Sequence, residues 1–217
     1  MTTILQPKVT VNIVNSSQAV TNTGQKILVV GQKVASGTAV AGALTQSIAN
    51  GGAENALFGR TSQLAKLVRA NKVRNQSIQI DAIALDDAGG GTAAAGAFVV
   101  TGTATEAGTF TIIVGSELNH SFSVAVASGT TATAVGDLIV TALGLDLDLP
   151  ATAVNTSGSV AITAVNKGTY GNSFGLEIRG SIAGLSTSVT AMAGGATDPT
   201  LTALFDVVGD ARYQAIV

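Results

Sequence analysis

The chain is predicted to be α+β. A small α/β core of strand, helix and strand resumes at the C-terminus and is interrupted by an inserted β-sandwich-like domain. Three observations predict this. A helical stretch at 50–74 lies between two apolar runs, 27–30 and 78–85. Seven short runs separated by Gly, Asn or Ser occupy 97–192. Small-residue joints at 86–96 and 192–196 bracket those runs, and such joints mark domain boundaries.

Composition agrees with a strand-rich chain. Of 217 residues, 46% are hydrophobic, but only 4% are aromatic and 11% charged. Ala, Gly, Thr and Val fill the difference, so the core is built from small and β-branched side chains, which suit strands. A surface rich in Ser and Thr rather than charge is poorly protected against self-association. With no cysteine, neither a disulfide framework nor a thiolate metal site is available. The N-terminal residues lack the basic start and apolar centre of a signal peptide. No apolar run approaches the ~20 residues of a membrane span. Synthesis and first folding in a cytoplasm are expected.

Net charge is −2, yet it is unevenly spread. Residues 1–80 hold eight Lys or Arg and one acid, a local charge of +7; residues 81–217 hold three basic and twelve acidic residues, a local charge of −9. Such asymmetry arises by chance on solvated faces. It also suits complementary surfaces in a homopolymer, or a basic patch for an acidic partner.

Taken in order, residues 1–25 form an extended arm. Val9, Val11 and Ile13 alternate with Lys8, Thr10 and Asn12, giving a strand with one apolar side; Val14 extends it. Residues 27–31 are continuously apolar and end in Gly, the pattern of a strand buried on both faces. Residues 40–48 carry a weak helical pattern. A short helix over 53–58 stops at Gly59, read as a left-handed cap. A second begins at Thr61 or Ser62, either of which can accept a backbone N–H. Leu64, Leu67 and Val68 then share one face. Arg60, Lys66, Arg69, Lys72 and Arg74 lie along it as a candidate basic contact face.

Strands are predicted at 97–103, 108–114, 120–126, 151–154, 158–165, 174–179 and 186–192, with short-strand punctuation typical of a small sandwich. A helix over 130–143 interrupts them, presenting Val135, Leu138, Ile139 and Ala142 on one face, with Thr130 or Thr131 as cap. Asp198 and Pro199 form a helix start, followed by Leu201, Leu204, Phe205 and Val208 at helical spacing. Residues 213–217 begin a further strand. An apolar strand at that position makes the chain read as a piece of a longer protein. The predicted organisation is therefore an arm (1–25), a discontinuous α/β core (26–88 and 197–217, incomplete) and an inserted β-rich domain with one helix (97–196).

Site chemistry is sparse. His120 is the single histidine, so any triad or imidazole metal site would rest on it alone. Gly171, Ser173 and Gly175 match G-x-S-x-G, but that nucleophile turn needs a strand before it and a helix after it; here a turn precedes and a strand follows. Asp86/Asp87 and Asp146/Asp148 are paired carboxylates on loops without the further ligands of a cation site. Gly89, Gly90 and Gly91 lack the Lys-Ser/Thr of a phosphate loop and read as a hinge. The basic residues at 60–74 have no interleaved aromatic for base stacking. No catalytic, cofactor-binding or metal residues are assigned, and no enzyme activity is expected. An unpaired strand, a weakly charged surface and a split charge field describe an assembly subunit.

Five segments then resemble one family in order and spacing: ILVVGQK at 27–33, ALFGRTSQLA at 56–65, TGTATEAGT at 101–109, NKGTYGN at 166–172 and TAMAGGA at 190–196. Together they resemble the Mu-like contractile phage tail sheath family, over nearly the whole chain. The resemblance implies a virion structural subunit, wrapped helically around a tail tube, that shortens to drive the tube through a host envelope. It implies other sheath subunits, the tail tube protein, the baseplate and the tail terminator as partners, with no cofactor, nucleic acid or membrane insertion. The implied location is the virion tail, with the host cytoplasm during assembly. Residues Lys8, Val9, Thr10, Val11, Asn12, Ile13 and Val14 would be the arm that adds a strand to a neighbour. Family members are longer, and their second half carries the rest of the tube-proximal core. The alternative expectation is a β-rich adhesion or carbohydrate-binding module, and a third is an esterase using Ser173.

Overall fold

The computed structural model describes residues 25–74, 76–115, 120–202, 204–209 and 211–217. The predicted arm strand, Lys8 to Val14, lies outside them. Strand β1 (Lys26–Gln32) is followed by a two-residue strand, β2 (Leu44–Thr45), where the sequence pattern predicts a weak helix. Ile48 N–H donates to Ile80 O, and Leu44 and Thr45 pair with Ile83 and Ala82. Sheet pairing thus overrides a faint local helical preference. Helices α1 (Ala53–Phe58) and α2 (Gln63–Arg74) lead to β3 (Gln79–Leu85). Ser62 Oγ accepts Ala65 N–H at 3.1 Å, which caps α2 by satisfying an amide of its first turn. Gly59 has φ 80° and ψ 130°, so it stops α1 with a positive φ but not in the left-handed helical well. A Cβ there would collide with Val34.

β1 and β3 run parallel, Ile27 beside Ile80 through Gln32 beside Leu85. One face of this pair, Val29, Ile80, Ala82 and Ala84, packs on Phe58, Leu64, Ala65 and Val68. Gly31 eases this close approach: a Cβ would come 3.3 Å from Leu64 Cα, tighter than an ordinary contact. The chain returns at its other end to the same sheet. β11 (Ala215–Ile216) pairs parallel with β1, giving the order β11-β1-β3-β2.

Between these come β4 (Ala95–Gly102), β5 (Gly108–Gly115), β6 (His120–Val126), α3 (Ala132–Gly144), β7 (Ala151–Thr156), β8 (Ser159–Ala164), β9 (Gly175–Arg179) and β10 (Leu185–Ala193). All seven expected strands are present. They form two antiparallel sheets, β10-β4-β8-β7 and β6-β5-β9. Phe98, Phe110, Ile112, Val160 and Ile162 are buried in the core these sheets share with Val135, Ile139 and Leu143 of α3. Three of the four residues expected on the apolar face of α3, Val135, Ile139 and Ala142, pack on this core, and one does not. Leu138 is 40% exposed, while Gly136 is pressed against Asn155 of β7. Thr131 caps α3 by accepting Ala134 N–H.

The helix expected from Asp198 onward is shorter: α4 covers only Leu204–Val208. Asp198 caps nothing in α4. Its carboxylate accepts Thr169 N–H and Thr169 Oγ1–H, both at 2.7 Å. That distant partner draws residues 197–201 away from helical geometry, the competition short polar side chains offer to a helix.

Candidate functional site

Each sequence-expected site residue among those described has a definite place. His120 begins β6, and its Nδ1 lies 2.5 Å from Asp146 Oδ2. Ser173 sits in a 3-10 turn, Thr169–Ser173, and its hydroxyl donates to Tyr170 O. β9 follows it, as the strand-after-serine reading required, so the Ser173 hydroxyl is taken up locally, while the Nε2 of His120 is buried without a hydrogen-bond partner among the described residues. Among the described residues no group of three or more His, Cys, Asp or Glu is placed to hold a metal ion, and no helix is long and apolar enough to cross a membrane. Tyr170 is half-buried and packs edge-on against Phe174, with ring centroids 5.0 Å apart.

The basic residues in and just before α2 do not form one open face. Arg60 holds Asp148 through Nε and Nη2, and Arg69 reaches the same carboxylate at 2.9 Å. The hydrogen bond from Arg60, with the charge of Arg69, holds the Asp148 carboxyl below the usual range. Lys72 is buried, donates to Ala49 O and lies 3.7 Å from Glu54. Burial pushes its ammonium below the ordinary lysine value. Lys66 is half-buried and Arg74 exposed. Part of the split charge field is thus neutralised within the chain, with an acid from the second half meeting bases from the first.

A polar junction lies beside this pair. Buried Asn166 accepts Gln63 N–H at 2.9 Å and donates to Lys33 O and Asp87 Oδ1, both at 3.1 Å. Asp87 also accepts from Gln32 Nε2 and Lys167 N–H. Asp87 is therefore an anchored acid, unlike its exposed neighbour Asp86, which pairs with Lys33 at 3.0 Å. The two small-residue joints are hydrogen-bonded to each other: Thr92 and Ala196 exchange backbone bonds, and Thr92 Oγ1 donates to Gly194 O. The hinge reading of Gly89 to Gly91 needs correcting at Gly91, where a Cβ would lie 2.9 Å from Thr197 O. Sequence reasoning passes over Asn166 and reads Asp87 only as half of a loop carboxylate pair. No pattern marks a buried Asn whose partners are 79 to 133 residues away.

An apolar groove of about 540 Å³ lies on the second face of the β1–β3 sheet. Leu28, Val30 and Leu85 form its floor, and Leu204, Val208 and Ile216 its sides. Leu201 and Ile216 are 55% and 65% exposed at its rim. Parallel strands normally have both faces covered; on this side Leu28 and Ile83 are buried, while Val30 and Leu85 stay partly exposed.

No protein-family model matches the chain. Among curated proteins, it is 32% identical over 197 residues to the Mu-like prophage FluMu tail sheath protein of Haemophilus influenzae. The match takes in 88% of this chain and 40% of that protein. This chain is a relative of the Mu-like tail sheath proteins. It spans about 40% of the length of the curated relative it matches. Three of the segments that carry the sheath resemblance meet at the Asn166 junction, and a fourth bonds to Thr92 and Asn172 beside it. Gln32 and Lys33, Arg60 and Gln63, Asn166 and Lys167, and Gly194 to Ala196 come from stretches far apart in sequence.

Proposed function

We propose that this chain is part of a structural subunit of a contractile phage tail sheath. The subunit assembles helically with copies of itself around the tail tube and contracts to drive the tube through the host envelope. The carrying observation is the 32% identity over 88% of the chain to a tail sheath protein. The work of contraction resides in subunit packing, and no chemical step is asked of His120, Ser173 or the paired aspartates. Other sheath subunits, the tube protein, the baseplate and the terminator are its partners. The virion tail is its location, after assembly in the host cytoplasm.

In this reading, residues 26–88 and 197–217 make one discontinuous α/β unit, and 97–196 an inserted β-rich unit. The return of β11 to β1 supports the discontinuity. The open groove supports an incomplete α/β unit: in a protein of the relative's length, further sequence covers Val30, Leu85 and Leu201. Residues Lys8 to Val14 act as an arm that adds a strand to a neighbouring subunit. Residual basic surface around Arg74 is left for contact with an acidic face of a neighbour. Electron microscopy of the full-length protein tests the reading: tubes are expected, and monomers persisting at high concentration would count against it.

A further inference from the structure

We propose that the α/β and β-rich parts are clasped at the N-terminal end of α2, so that the two glycine-bearing connections act as struts and not as hinges. The chain crosses between the two cores twice, near 86–94 and near 193–198, and glycine-rich crossings would ordinarily let two bodies swing. Four sets of bonds oppose that swing.

The first set centres on Asn166, just after β8. Its side chain is 3% exposed and satisfies Gln63 N–H of α2, Lys33 O after β1 and Asp87 in the connection. Gln32 Nε2 adds a bond to Lys167 O at 2.9 Å. A buried polar network with its members satisfied specifies one arrangement, because any other leaves donors or acceptors unpaired.

The second set centres on Asp148, in the loop between α3 and β7. Arg60 and Arg69 converge on its carboxylate. Arg69 is itself fixed by Asn55 Oδ1 and Arg60 O. On the other side Asp148 N–H is held by Asp146, which His120 approaches in turn, and the adjoining Leu149 is buried in the β-rich core. A two-pronged guanidinium–carboxylate contact fixes direction as well as distance.

The third set joins the two crossings through Thr92 and Ala196. The fourth ties the second crossing to the β-rich part: Asp198 is held by Thr169, and Asn172 exchanges bonds with both backbone groups of Gly195. These contacts lie at several points around both crossings, so neither connection can rotate without breaking several bonds. The inference is independent of the sheath reading, since it concerns contacts within one chain.

Nuclear relaxation measurements on the 217-residue chain test it. One rotational correlation time shared by amides of β1 and β3 and amides of β5 and β8 is expected; two distinct times in the wild-type chain would overturn the clasp. The double variant Asn166→Ala, Asp148→Asn is expected to separate the two times and to speed exchange of the Gln63 and Ala196 amides by roughly tenfold or more, while Ile112 amide exchange stays unchanged. A double variant that folds and keeps one shared time would also overturn the proposal. If the double variant fails to fold, Asp148→Asn alone decides the same question. Faster exchange at Ala196 relative to Ile112 would support the clasp, and no difference would contradict it.

Discussion

Arg60 grips Asp148 across 88 residues of sequence, with Nε at 2.8 Å and Nη2 at 3.2 Å from the two carboxylate oxygens. A base from the positively charged first part of the chain thereby meets an acid from the negatively charged remainder. Because the Asp148 pKa is lowered in the fold, its stabilising contribution is present above the ordinary carboxylate value and fades as pH falls through the lowered one. The thermal unfolding temperature of the wild type should exceed that of Asp148→Asn at pH 7. The gap should narrow as pH falls below the ordinary carboxylate value and the carboxylate takes up its proton. A gap independent of pH would show that Asp148 acts through something other than its charge.

Tyr213 anchors the last described strand. Its hydroxyl donates to buried Asp81 at 3.1 Å, and burial together with that bond pushes its pKa up to about 12. A raised phenol pKa means that the fold favours the neutral form. Its contribution is fully present below pH ~10, the unfolded value, and is lost as pH rises toward the folded one. The chain has two tyrosines, so ultraviolet titration of wild type, Tyr213→Phe and Tyr170→Phe isolates each ring. Tyr213 should ionise well above the ordinary phenol value, and Tyr213→Phe should remove that late step.

Leu64 is fully buried between α2 and the β1–β3 sheet, beside Gly31. Leu64→Ala should destabilise the chain by about 2–5 kcal/mol through lost burial and a residual cavity. Chemical denaturation would show the loss; a change well under about 1 kcal/mol would mean that α2 does not pack there.

Gly136 presents a case where helix propensity misleads. It lies inside α3, where Ala is favoured over Gly by roughly 1 kcal/mol. Yet a Cβ at this position would strike the Asn155 side chain, which bonds to Thr133 O, Asp137 Oδ1 and Gly158 N–H. Gly136→Ala should therefore destabilise, by about 1–3 kcal/mol, as those bonds are displaced. A stabilised variant would contradict the packing of α3 on β7.

Much of this fold is legible in residues alone. The seven strands of the β-rich part are visible because each is short, apolar or alternating, and bounded by Gly, Asn or Ser. The Thr131 cap and the 53–58 helix, both readable from local residue chemistry, also coincide with the structure. What escapes is long-range. Asp198 reads as a helix cap because its competitor, Thr169, lies 29 residues away. The basic residues in and just before α2 read as unpartnered because Asp148 arrives from another part of the chain. Asn166 carries no periodicity or charge to announce it. The groove beside Val30 is foreshadowed only by the continuous apolar run at 27–31, which calls for cover on two faces. The arm at Lys8 to Val14 falls outside the described residues.

The central claim is that this sequence serves a sheath built from many copies of one subunit. Electron microscopy of the concentrated full-length protein, expressed with its tail tube protein, tests it most directly. Helical tubes enclosing the inner tube are predicted, and dispersed single subunits beside bare inner tubes would contradict the account.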